Sequence, residues 1–320
     1  MAVIGFHASH EQVSPSALLA AVQLAESAGF EAAMCSDHLA PWSVRQGHSG
    51  HAWSWLGAAL ATTSFPFGVV TAPGQRYHPA VVAQAIATLA EMFPGRFWAA
   101  LGSGEALNEH VTGEPWPPKE VRDARWLECA DVIRALLEGE EVTHAGHVTV
   151  DRARVWVEPT TPPALFGAAV SAATAARVGG WSDGLITVNQ PVETLRDVLD
   201  AFRSGGGENK PAYLQVHLSW DEDEATARRV AHEQWRSNVF SSELAWELTL
   251  PGQFDAAAEF VRPSDVDDAV YISSETGRHA EWLNELAGLG FDALFLHHVG
   301  QEQRAFIETF GSNVLTEISR

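Results

Sequence analysis

Short β-branched or aromatic runs alternate with longer amphipathic patterns from one end of the chain to the other. The opening run "VIGFHAS" reads as a strand, rich in β-formers and bounded by polar residues. It is followed by "SPSALLAAVQLAESAGF", with Ser14 placed as N-cap, Pro15 at the first helical position and Gly29 as the stop. The rhythm repeats through strand "EAAMCSD" and helix "AWSWLGAALATT", then strand "PFGVVTA" and helix "PAVVAQAIATLAEMF". Strand "RFWAALGSGE" leads into a long helix, "EVRDARWLECADVIRALLEG", which ends at Gly139. Later come "ALFGAA", "GLITVN", "AYLQVHLSW" and "DALFLHHVG" as strands, each with a helical pattern behind it. The helix behind "AYLQVHLSW" is the charged "DEATARRVAHEQWR", and a further short strand, "DAVYISS", precedes "HAEWLNELAGLG".

Two stretches break the pattern. Residues 141–158 alternate about Ala145-Gly146 and predict a β-hairpin excursion, while residues 237–263 are irregular. No Pro/Gly/Ser linker divides the chain, so residues 1–320 are expected to form one domain. Roughly eight strand–helix units imply parallel strands with right-handed crossovers, which close most simply into a (β/α)8 TIM barrel, an α/β fold with insertions. An open doubly wound sheet is the alternative, but it needs a Gly-rich turn after its first strand, and "FHASHEQVS" has none.

Composition narrows the partners. The net charge is −21, and Lys119 and Lys210 are the only lysines, so a nucleic-acid or anionic-membrane partner is not expected. Cys35 and Cys129 lie apart in apolar segments without metal-ligand spacing, as reduced core cysteines of a cytoplasmic protein would. The N-terminus lacks the basic and apolar regions of a signal peptide, and no run is long enough to span a membrane.

In such a barrel the chemistry sits at the C-terminal ends of the strands. Those ends carry His10, Ser36-Asp37-His38, Thr71-Ala72-Pro73, "GSGEALNEH", Val170-Ser171, Thr187 to Gln190, and His297-His298. A single strand end turning into solvent could carry Ser-Asp-His for no catalytic reason. Convergence of titratable groups on one rim favours a functional site. His297 and His298 point to opposite faces of a strand, and His144 and His147 lie in the hairpin without ligand spacing, so no metal site is expected.

The combination "AESAGF…SDH…PW", "RYHPAVVAQA…FPGRF", "GSGEALNE" and "GWSDGLI" resembles the luciferase-like flavin oxidoreductases. Within them it is most similar to the branch holding the deazaflavin-dependent glucose-6-phosphate dehydrogenases. The resemblance spans nearly the whole chain and implies a (β/α)8 barrel in which a hydride passes between the cofactor ring and a stacked substrate. It implies that His38 and Glu105 are the acid–base pair, since His and a partly buried Glu can titrate near working pH. It places Asp37, Asn108, Ala72 and Gly104 on the cofactor and a phosphate in the loop at Val170-Ser171, and gives Val69-Val70 either a bulged cis peptide behind the ring or an ordinary buried strand. His10, Trp42, Thr187 and Gln190 are expected in the substrate pocket.

The preferred cofactor is FMN, because Val170-Ser171 stands where many relatives have Gly-Gly and no dinucleotide fingerprint occurs. Coenzyme F420 is the alternative, and a non-catalytic flavin-binding barrel a second one. A homodimer is expected. The resemblance also implies that sugar-phosphate enzymes bind their dianion with two lysines and an arginine. Those positions fall here at Gln190, near Ala245 and at Asp268, so an uncharged or apolar small molecule is the expected substrate.

Overall fold

The computed structural model describes residues 2–318. Its strands are β1 (Val3–Ala8), β2 (Ala32–Ser36), β3 (Phe67–Thr71), β4 (Phe97–Leu101), the pair β5 (Val142–Ala145) and β6 (Thr149–Ala153), β7 (Ala164–Ala168), β8 (Gly184–Val188), β9 (Ala212–Ser219), β10 (Tyr271–Ile272) and β11 (Ala293–His298). The helices are α1 (Pro15–Ser27), α2 (Ala52–Thr62), α3 (Pro79–Met92), α4 (Ala106–Glu109), α5 (Lys119–Leu137), α6 (Ala172–Trp181), α7 (Val192–Phe202), α8 (Glu224–Trp235), α9 (Ser242–Ala245), α10 (Pro251–Ala257), α11 (Thr276–Gly288) and α12 (Arg304–Asn313).

Parallel strands run in the order β9-β11-β1-β2-β3-β4-β7-β8, and β8 pairs back to β9, closing an eight-stranded barrel. Strands β5 and β6 form a separate antiparallel hairpin. Most of the core lies between the strands and the surrounding helices, and a smaller cluster fills the lumen. In that cluster Trp98, Phe166, Tyr213 and Phe295 pack ring against ring, with centroids 4.6–5.8 Å apart. Three of these rings lie over a glycine paired directly with them on the next strand: Gly68 with Trp98, Gly184 with Phe166 and Gly5 with Phe295. A Cβ at any of the three would overlap the ring it faces. The N-terminal half of the lumen is therefore a plug of side chains, and open chemistry is left to the C-terminal end.

One expectation is corrected by the chain path, and one open alternative is decided. Helix α8 is not one of the barrel's outer helices. Its last residue, Trp235, packs on His217 and His297 at the C-terminal ends of β9 and β11, with centroids 4.5 and 4.9 Å away. The excursion over the rim thus begins at α8 and runs until β10, which only pairs with the end of β9. The Val69-Val70 bond is not cis, and β3 has no bulge. Among the described residues no peptide is cis, and β3 keeps continuous register with β2 and β4. Among the described residues no helix is long and apolar enough to cross a membrane, and no group of three ligand-type side chains could hold a metal.

Candidate active site

Parallel pairing sets Ala8 of β1 beside Cys35 of β2. Three residues further along each strand come Glu11 and His38, and their side chains meet. His38 Nδ1 lies 2.5 Å from Glu11 Oε1, and His38 Nε2 lies 3.2 Å from Glu105 Oε1. The Glu11 contact is close but off the N–H axis, so charge rather than a well-aligned hydrogen bond holds the pair. Ser9 Oγ donates to the other oxygen of Glu11 at 2.8 Å, which fixes the carboxylate. Glu11 is buried, whereas the His38 and Glu105 side chains keep 18% and 15% exposure and open onto the rim. Glu11 was not anticipated, although its equal offset from the strand end opposite His38 was a signal.

Electrostatics favour the charged forms of His38 and Glu11 together. Burial lowers the basicity of His38, but the charge of Glu11 and hydrogen bonding to Glu105 outweigh it and raise the pKa to about 10. For Glu11, burial favours the neutral acid, yet the charge of His38 brings its pKa down to about 2. These opposed shifts favour an imidazolium at His38 held against an ionised Glu11. Trp42 meets it edge to face, with centroids 5.5 Å apart, and Phe254 of α10 packs on Trp42 in turn. Trp42 thus stands in the expected wall, with the excursion behind it.

Two residues expected on the cofactor also make hydrogen bonds within the chain. Asp37 is 3% exposed, and its Oδ2 accepts from Trp53 Nε1 at 3.0 Å and Thr71 Oγ1 at 2.9 Å. Arg76 donates to the Asp37 carbonyl at 2.6 Å and pairs with Glu109, so Asp37 anchors the β2 and β3 ends together. Asn108 is 2% exposed, and its Oδ1 accepts the backbone N–H groups of Leu39 and Ala40. It pins the segment after His38, with its Nδ2 directed at Glu105. Two substrate-pocket expectations are corrected as well. His10 is fully buried against the edge of Trp55, behind the site. Thr187 neighbours the lumen-facing Ile186, so alternation turns it outward into the buried layer. Gln190 is half-buried at the rim, with an unpartnered Nε2.

Along β3, β4 and β7 the rim is lined by small residues. Val70 faces the lumen, whereas Val69 packs outward into the core. Gly104 has φ 77°, and a Cβ there would lie 3.1 Å from Glu109 and 3.2 Å from Ala72. Val70, Ala72, Gly102, Gly104 and Ala168 are all small here. Beyond them, Ser171 is the N-cap of α6, and its Oγ accepts from Thr174 N–H. The Val170-Ser171 loop thus leads directly into a helix start.

The family model for luciferase-like monooxygenases matches residues 1–293. The chain belongs to this family. A luciferase-like relative from Beutenbergia cavernae, an F420-dependent glucose-6-phosphate dehydrogenase, is 33% identical over 98% of this chain and 97% of its own. An F420-dependent hydroxymycolic acid dehydrogenase from Mycobacterium tuberculosis is also 33% identical, over 98% of this chain and 88% of its own. Among solved structures, an F420-dependent secondary alcohol dehydrogenase with an F420–acetone adduct superposes with a TM-score of 0.91 at 28% identity, covering both chains fully. This luciferase-like barrel is accordingly an oxidoreductase, and its closed eight-stranded architecture is that of its structural neighbours.

Proposed function

We propose that the protein is a coenzyme F420-dependent oxidoreductase that interconverts an uncharged alcohol and its carbonyl compound. The observation carrying the cofactor is that full-length relatives acting on unlike substrates share F420 by name. The expectation of FMN rested on the loss of Gly-Gly at Val170-Ser171, and it gives way for a physical reason. Ser171 caps α6 in their place through Thr174 N–H, and the loop still leads into a helix start that can take one phosphate.

F420 supplies a two-electron carrier that takes or gives a hydride. The chain supplies the proton. An alcohol that loses a hydride from carbon must also lose a proton from oxygen, and the neutral form of His38, its Nε2 beside Glu105, is the group placed to receive it. In the reverse direction, imidazolium His38 donates to the carbonyl oxygen. Glu11 holds the charge, and Trp42 covers the ring against water.

The uncharged substrate follows from the cations at hand. Arg76 is committed to Asp37 and Glu109, and Arg45 to Asp255. In the rim excursion, Arg236 alone has no ion-pair partner among the described residues, and Asp268 is exposed. One lone guanidinium is a poor match for a buried dianion. Titration of the purified protein with F420 and with FMN, followed by fluorescence, is expected to give at least about tenfold tighter binding of F420, a difference of about 1.4 kcal/mol. Equal or tighter FMN binding, or rapid oxidation of glucose 6-phosphate with F420, would refute the reading.

A further inference from the structure

Above the aromatic plug, the lumen holds polar side chains that the proton transfer does not use. His7, Gln12, Gln215, His217 and His297 are all buried. His7 packs on His297 with ring centroids 4.4 Å apart and planes tilted by 36°, and it feels the charges of Glu11 and His38. The layer therefore adjoins the acid–base pair from below.

Its proton positions follow from one carbonyl. Gln12 Nε2 donates to Val299 O, which can only accept, so Gln12 Oε1 is the atom turned to His297. His297 Nε2, 2.6 Å from that oxygen, must carry hydrogen. In a neutral ring its Nδ1 then accepts, which requires Gln215 to present its amino group at 3.1 Å. The second hydrogen of that amino group points at His217 Nε2, also 3.1 Å away, so His217 carries its own hydrogen on Nδ1. Burial keeps these rings neutral, lowering His217 to about 3 and His297 well below the usual histidine range. Along the run from Gln12 through His297 and Gln215 to His217, two atoms remain without a hydrogen bond inside the chain: the Nδ1–H of His217 and the Oε1 of Gln215; His7, stepped aside from that run, leaves its buried Nδ1 unpartnered as well. One donates and one accepts, on residues two apart that face the lumen from the end of β9.

We propose that Gln215 and His217 are specificity-determining residues whose free donor and acceptor bind a second, non-reacting hydroxyl of the substrate. The pair carries no net charge and cannot acquire one without breaking the network, so it selects a neutral polar group over a carboxylate or a phosphate. The assignment rests on the alcohol dehydrogenase reading for its choice of substrates. The test compares isopropanol with propylene glycol, the same secondary alcohol with one further hydroxyl, using F420 as acceptor. Wild-type protein is expected to favour the diol by at least about tenfold in kcat/KM, the least that a site built for a hydroxyl should give. Gln215→Leu and His217→Phe, made singly, are expected to abolish that preference while isopropanol turnover stays within about threefold. A wild type without the preference, or either folded variant that keeps it, overturns the proposal. Nitrogen NMR of His217 reads the donor independently of turnover: hydrogen on Nδ1 supports the assignment, and hydrogen on Nε2 overturns it. Turnover of neither alcohol by protein that binds F420 sinks the dehydrogenase reading, and the tautomer still decides the pair.

Discussion

His38→Ala is expected to slow hydride exchange between F420 and an alcohol or ketone by about 10²–10⁴, the usual contribution of a positioned acid or base. The ring is the group on the rim that both faces the substrate side and can hold a proton in either direction. Glu105 shares its Nε2 edge at 3.2 Å but lacks the paired carboxylate behind it. The variant should fold, because His38 lies at a strand end, partly exposed, and contributes no core volume. F420 affinity is expected to stay within about tenfold, since the small residues of the rim and the α6 start are untouched. Steady-state kinetics with F420-binding controls check this, and wild-type rates in a folded variant would remove His38 from the chemistry.

Glu11→Gln is expected to move the pH dependence rather than abolish the reaction. Carbonyl reduction needs protonated His38, so in the wild type it should persist through neutral pH and fall as pH rises through about 10. Alcohol oxidation needs the neutral ring and should rise through the same value. Glutamine keeps the shape of Glu11 but removes the charge that does most to raise His38, so both inflections should fall by more than about one pH unit. Should the inflection return fully to the ordinary histidine value, the protonated fraction at about pH 8.5 would drop roughly a hundredfold, and reduction with it. Unchanged inflections in the variant would show that Glu11 does not set the charge of His38.

The barrel was readable because period-two and helical patterns alternate along the chain, and because strand ends collect polar residues. His38, Glu105 and Trp42 were singled out through the family resemblance at those strand ends, and the structure brings all three together. Glu11 was not, since it lies in a turn beyond β1, where alternation no longer says which way a side chain points. Pairing β1 with β2 supplies the missing step, because it sets Glu11 and His38 at equal distances from Ala8 and Cys35. Helix α8 looks like any charged surface helix, and local pattern carries no record of whether a helix lies beside the barrel or across its mouth. Asp37 and Asn108 had the correct addresses, but their partners, Trp53, Thr71, Leu39 and Ala40, come from several segments and were invisible in one dimension. The polar layer was hidden for another reason: both faces of these strands are buried, so nothing in "AYLQVHLSW" says which face is the lumen.

The most direct test is a single anaerobic turnover. Protein loaded with oxidised F420 is mixed with isopropanol, and the visible absorbance of the deazaflavin is followed. Wild-type protein is expected to bleach the cofactor, faster as pH is raised towards 10, while His38→Ala binds F420 equally and bleaches it at least about a hundredfold more slowly. Bleaching at the same rate in both proteins, or in neither while F420 is bound, would contradict a reaction in which His38 moves the proton.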